Sequence, residues 1–327
     1  MNDVGLGTSH VGMAGEFRFV VTRADGTIKE DTGFQRNLIL NQGLDFFGGG
    51  NGADMLAFCV IGVGNSEPTA TQTALSSYTA VAPLIASAIT MKYNYTDDGS
   101  GLYKCNRVGK YSFTTLSNVN ISEVGLASVS SGSTYYLCTR ALLKDSLGSA
   151  TSITILAGEI LDVYYKLWKV VSIADVSYVV NMTDGKGGSV PYNTRVRLAN
   201  VGDIRWGDGI GKALIVDKFN IAMSTAESTA ITSMPATSSY SPSTSTVAAY
   251  VNGTYKRVVT YNFGVNDSNA AIRNLVSFMS NDIYANKLTY FQIRYGSVTG
   301  DNAILKTNLQ KMELPLEYSW GRYEGAL

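Results

Sequence analysis

The side chains that could do chemistry are few and scattered. The chain has one histidine, His10, set in a glycine-rich stretch ahead of the first apolar segment. A Ser-His-Asp or Cys-His centre needs an imidazole held against its nucleophile, so neither can be assembled on the folded body. A histidine-containing metal centre fails for the same reason. Cys59, Cys105 and Cys138 are far apart and form no Cys-x-x-Cys pair. Two of them sit in the apolar runs 58–63 and 135–143, which reads as buried thiols and not as a zinc site or disulfide framework.

Carboxylates offer no better constellation. Glu123, Glu159 and Asp162 fall on expected strands, and Asp97, Asp98 and Asp208 in turns. Glycoside hydrolysis needs two carboxyls roughly 5–10 Å apart, and nothing in the sequence brings a pair together. Asp25, Asp184 and Asp208 each precede a glycine, but none has the spacing of a calcium loop. GDGIGKAL (207–214) lacks the lysine and serine or threonine placement of a phosphate loop, and GVGNSEPT (62–69) lacks the third glycine of a dinucleotide loop. Catalytic, cofactor-binding and metal residues are therefore all assigned as none, and the expectation is a protein that is not an enzyme. Tyr93, Tyr95, Tyr135, Tyr136, Tyr164 and Tyr165 form either a contact surface or, more simply, cross-strand packing.

The elements that must position these residues are mostly strands. Among 327 residues stand 33 Gly and 20 Tyr, a balance that suits strands and turns. Charge is sparse, with 26 basic and 26 acidic residues and no net charge. That gives no electrostatic case for nucleic acid or for a polybasic membrane surface. The first residues lack the basic and apolar regions of a signal peptide, and no apolar run is long enough for a membrane helix.

FRFVVT (17–22), Asp25-Gly26 and IKEDT read as a β-hairpin, because Asp-Gly tolerates positive φ. NLILNQGLDFF (37–47) predicts a short helix. Strands are expected at 56–63 and near 86–95, 102–114, 122–129 and 134–144, with 64–75 a loop. Strict alternation marks GEILDVYYKLW (158–168), with Leu161, Val163, Tyr165 and Leu167 on one face. The second half closes alike on Leu314, Leu316, Tyr318 and Trp320. Residues 268–282 conflict with this pattern, since Ile272, Leu275, Val276 and Met279 have helical spacing although their counterparts at 120–128 read as a strand. Residues 223–247 are rich in Ser, Thr and Ala and read as a long surface loop.

The chain also reads as containing itself twice. Residues 17–168 align with 176–320 through Val20/Val179, Arg36/Arg195, Asn41/Asn200, Gly43/Gly202, Ile61/Ile221, Tyr111/Tyr261, Phe113/Phe263, Leu161/Leu314 and Tyr165/Tyr318. So long a period is a duplicated domain, not a solenoid unit of roughly 20–50 residues. The expected organisation is an arm at 1–16, either packed on a neighbouring subunit or without fixed structure, then a first β domain at 17–171 and a diverged second at 172–327. The expected fold is mainly β: two related β-sandwich-like domains from an internal duplication, with one or two short helices.

The first half resembles structural proteins of tailed bacteriophages. The resemblance rests on DGTIKEDTGFQRNLILNQGLDFF (25–47), CVIGVGNSEPTATQTAL (59–75), and YSFTTLSNVNISEVGLAS (111–128) leading to RALLKDSLGSATSITILAGEILDVYYKL (140–167). It covers about half the chain. The second half has no counterpart of Pro68, of the Glu-Val-Gly triplet at 123–125, or of Gly158-Glu159. The resemblance implies a noncatalytic virion component, made in the host cytoplasm and built into the tail, collar or fibre-attachment region. Its partners would be copies of itself and other virion proteins, with no nucleic acid and no membrane insertion. The alternative is a receptor- or glycan-binding tail module that meets host surface glycan through loop 223–247 and surface tyrosines.

Overall fold

The computed structural model describes residues 7–49, 53–131, 134–183, 188–214, 219–224, 226–236, 244–280 and 288–327. The first half runs β1 (Gly7–Thr22), β2 (Ile28–Asp31), β3 (Gln35–Arg36), β4 (Leu38–Ile39), α1 (Asn41–Gly48), β5 (Phe58–Gly62), β6 (Tyr78–Pro83), β7 (Thr90–Lys92), β8 (Leu102–Phe113), β9 (Val119–Ile121), β10 (Glu123–Ser131), β11 (Thr134–Leu137), β12 (Thr139–Leu142), β13 (Ile153–Ile155) and β14 (Ile160–Ser172). The second half runs β15 (Val176–Thr183), β16 (Ser189–Leu198), α2 (Ile204–Asp208), β17 (Phe219–Ser224), β18 (Thr244–Val247), β19 (Lys256–Phe263), β20 (Ala271–Ile272), β21 (Asn274–Ser280), β22 (Leu288–Ser297), β23 (Ile304–Leu305) and β24 (Met312–Arg322). The protein is mainly β, with two short α-helices among the described residues.

One nine-stranded sheet crosses both halves in the order β18-β19-β24-β1-β14-β8-β7, with β2 and β3 also paired to β1. A six-stranded sheet, β4-β12-β10-β5-β6 with β11 on β10, belongs to the first half, and a five-stranded sheet, β15-β16-β22-β21-β17, to the second. Their inward side chains form one hydrophobic cluster that includes Phe17, Val163 and Tyr165 as well as Tyr261, Leu275 and Trp320. The alternation of the two long closing strands is borne out. Leu161, Val163, Tyr165 and Leu167 are buried, as are Leu314, Leu316, Tyr318 and Trp320. The first hairpin forms as expected, with Gly26 at φ 85 donating its N–H to Arg23 O.

Strand pairing recurs between the halves. Glu123 faces Gly62 on β5 and Leu142 on β12, while Asn274 faces Ser224 on β17 and Arg294 on β22. Ile153 pairs with Ile121, and Ile304 with Ile272. With Glu123 set on Asn274, Gly62 falls on Ser224 and Ile61 on Met223, two residues from the sequence match with Ile221. Leu161 pairs with Phe113 but Leu314 with Tyr261, another slip of two. A two-residue slip keeps every side chain on its own face, so alternation in sequence does not reveal it. The turn at Asp184-Gly185 lies outside the described residues.

The expected arm is a strand. Gly7–Glu16 are the leading part of β1, which pairs in parallel with β24 from Gly7↔Leu316 to Met13↔Arg322 and antiparallel with β14 from Gly12↔Val170. Residues 1–6 lie outside the described residues. The glycines here answer crowding. A Cβ at Gly12 would stand 3.1 Å from both Tyr323 Cβ and Val170 O, and one at Gly15 would run into Asn37. The segment at 268–282 is also strand over its described part, as β20 and β21. β21 lies between β17 and β22, and four successive residues, Asn274 to Ser277, are buried. Burial on both faces removes the alternation and leaves a spacing that mimics a helix. The strand expected over 86–95 shrinks to β7 at the sheet margin. Loop 223–247 begins in β17 and ends in β18, and Ile231 O and Ser233 O accept from Val201 N and Asn200 N, so its described middle is anchored; residues 225 and 237–243 lie outside the described residues.

Each half lends its helix to the other. Leu44 O and Gly48 O of α1 accept from Trp320 Nε1 at 2.8 Å and Arg257 Nε at 3.0 Å. Trp206 O of α2 accepts from Lys169 Nζ at 3.1 Å, and Ile210 O from Arg107 at 3.2 Å. Arg257 and Lys169 thus meet carbonyls that the helix C-termini leave open. Deleting residues 1–13 should withdraw Val11 and Met13 from the core and leave β24 without its parallel partner. At 1.5–3 kcal/mol per buried side chain the expected loss is about 3–6 kcal/mol, read from the urea midpoint. A loss under about 1 kcal/mol would show that this pairing contributes little.

Candidate functional site

The structure disperses the side chains singled out in the sequence. His10 lies on β1 with Nδ1 3.0 Å from Ser319 Oγ. Asp25 accepts from Thr27 N, Asp97 from Gly99 N and Asp98 from Ser100 N, so all three cap turns. Asp208 closes α2, and Asp184 lies outside the described residues. Glu159 pairs with Lys29 and Asp162 with Lys110, each at 2.7 Å. Among the described residues no three His, Cys, Asp or Glu side chains group as metal ligands. All three cysteines are free and buried. Burial raises each thiol, Cys105 to about 11, Cys138 to about 12 and Cys59 well above its usual value. Such thiols are poor nucleophiles at neutral pH.

The tyrosines do not make one surface. Tyr135 stacks on Tyr78 with ring centroids 5.4 Å apart, Tyr95 meets Tyr103 edge-on at 6.0 Å, and Tyr164 lies under Arg18 and Lys110. Tyr165 is fully buried and shares a 2.6 Å hydrogen bond with Thr139 Oγ1. GDGIGKAL is spent on joining the halves. Met55 N donates to Gly211 O, Ala213 N to Ala53 O and Leu214 N to Phe47 O.

The best-built polar feature holds the loop after β5. Glu123 and Arg140, both fully buried, pair at 2.7 Å across β10 and β12. Glu123 Oε1 accepts from Gly64 N at 3.0 Å and Ser77 N at 2.7 Å, and Oε2 from Ser76 N at 3.0 Å. Arg140 donates to Ser66 O and Gln72 Oε1, each at 2.8 Å. The pair thus fixes both ends of 64–77. In the second half the loop after β17 is held by an amide. Gln292, which the matched pairings set on Arg140, accepts from Ser228 N at 2.9 Å and donates to Ser228 O at 3.0 Å. Neither clamp was visible in the sequence, because its members are far apart and only the strand registers align them.

Beside the clamped loop runs a groove of ≈ 730 Å³. Val63, Val119 and Leu142 give its lining apolar surface, and Asn65, Asn118, Asn120, Ser122, Thr151 and Ser152 add amides and hydroxyls. Thr151 also borders a second groove that carries Glu30, Arg36, Lys144 and Asp145. Asn118 holds φ at 48, a conformation that Asn tolerates better than most residues. Among the described residues no helix is long and apolar enough to cross a membrane.

No protein-family model, curated protein or solved structure matches the chain. The chemistry of the site therefore rests on its own geometry, a clamped loop and a neutral groove.

Two outcomes test the clamp and the buried thiols. Glu123→Ala should cost about 3–5 kcal/mol by urea unfolding, because it leaves a buried guanidinium uncompensated, and pairing it with Arg140→Met should recover part of that loss. For the thiols the folded pKa lies above the ordinary 9.0 of an unfolded cysteine. Their contribution is complete below pH 9.0 and is lost as pH rises toward 11 and 12. Melting temperature under reducing conditions should stay level to about pH 9 and then fall, and Cys138→Ala should reduce the fall.

Proposed function

We propose that this protein is a noncatalytic assembly component, made of two halves derived from an internal duplication and working through contacts with further copies of itself. The virion of a tailed phage, in its tail, collar or fibre-attachment region, is the setting that the resemblance of 25–167 favours. The recurring strand pairing supports the duplication.

The observation that carries the assembly reading is the position of β15. Its counterpart, β1, is enclosed between β14 and β24. β15 instead stands at the margin of the five-stranded sheet and pairs with β16 alone among the described residues. Val176 and Val179 on it are 49% and 52% exposed. An unpaired strand edge bearing valines is a template for strand addition, which monomeric proteins ordinarily block with charge, proline or a cover. Ion pairing of the structural acids and burial of the thiols accord with a role that needs no reacting group.

Native mass spectrometry of the full chain should show a closed homo-oligomer. Val179→Lys should leave the melting temperature within a few degrees of the unmodified protein and weaken association at least tenfold, about 1.4 kcal/mol. A chain that stays monomeric at high concentration, or a lysine variant that assembles normally, would sink this reading.

A further inference from the structure

The neutral groove beside the clamped loop has a counterpart in the second half, and the two differ in one systematic way. The strand registers place Leu142 opposite Arg294 in the comparison of halves, and Ser122 opposite Arg273. Counting three residues beyond Gly62 and Ser224 sets Asn65 against Glu227, and counting back from Ile153 and Ile304 sets Ala150 against Asp301. All four first-half residues line the groove. All four second-half residues are charged and joined. Arg294 bonds Asp301, Arg273 reaches Asp301 at 3.3 Å, and Arg294 lies 3.9 Å from Glu227, which also pairs with Arg195. Side chains of opposite charge thus bridge the second-half position from wall to wall, while the first half leaves the same position open and uncharged.

We infer that the first-half groove is a carbohydrate-binding site for a neutral oligosaccharide, separate from the assembly edge at β15. Asn65 and Asn118 each offer a donor and an acceptor, Asn120 offers its amide N–H while its Oδ1 accepts from Thr154, and Thr151 and Ser152 offer hydroxyls, the complement of a polyhydroxylated ring. The apolar side chains of Val63, Val119 and Leu142 in the lining suit the C–H faces of a sugar. With no charged residue on its lining, the groove gives a phosphate or carboxylate no counter-charge, so anionic glycans and nucleic acids are disfavoured. The Glu123–Arg140 pair pre-sets the wall that carries Asn65, so little ordering remains to be done on binding.

The test is chemical-shift mapping and affinity measurement on the full chain with neutral hexose oligosaccharides, sialylated oligosaccharides and an unstructured peptide as three arms. Neutral sugars should shift resonances of Asn65, Asn118 and Thr151. Asn65→Ala and Asn118→Gly, exposed changes of which the second keeps the positive φ, should each weaken binding about tenfold. Ala150→Trp, which fills the groove from its exposed rim, should abolish it with the melting temperature unchanged. Absence of binding in the neutral arm, binding only in the sialylated or peptide arm, or affinity unchanged by all three substitutions would overturn the assignment. Loss of assembly in Val179→Lys with sugar binding intact would separate this site from the proposed assembly role.

Discussion

The architecture depends on where β1 runs. A strand of 16 residues is longer than either neighbour needs, so one end pairs with β14 and the other with β24. Two sheets that would each end at a closing strand become one. The parallel stretch is the odd member of a largely antiparallel sheet, and it exists because the place beside β24 is not taken by β15. Everything else at the junction follows from that seam. The two closing strands lie in one plane, their inward faces enter one cluster, and each short helix comes to rest on the other half.

The halves also distribute charge in opposite ways. In the first, an ion pair is buried and holds a loop from within, while the nearby groove is lined by amides and hydroxyls. In the second, an amide does the holding from within and the ion pairs lie outside. A buried pair is sensitive to loss of one partner but keeps its geometry, whereas partly exposed pairs are individually weak. The first half therefore has a rigid wall beside an open surface, and the second a softer wall beneath a bridged one.

Much of the fold was legible where one principle governed a stretch alone. Alternation on Leu161–Leu167 and Leu314–Trp320 reported one-sided burial, and Asp25-Gly26 reported its turn through the φ of Gly26. Legibility failed where two surroundings acted on the same residues. β21 is covered on both faces and so lost its period, and the glycines of 7–15 suggested slack where the sheet demands small side chains against Tyr323 and Asn37. The groove was not legible at all. Its lining comes from four separated stretches, 63–65, 118–122, residue 142 and 150–152, none with a motif of its own, and only the strand registers reveal that four of those positions are charged in the other half.

The seam between β1 and β24 joins residues such as His10 and Ser319, 309 positions apart. Closing so long a stretch of chain makes this pairing a late event, because contacts of high sequence separation form slowly in β proteins. During synthesis the leading part of β1 emerges well before β24, and its edge is uncovered meanwhile. The same edge-bonding groups that unite the finished molecule are then a hazard of its youth, when another nascent chain can meet them first. Order of appearance on the ribosome, and not stability of the finished sheet, is the stage at which this fold is most easily misdirected.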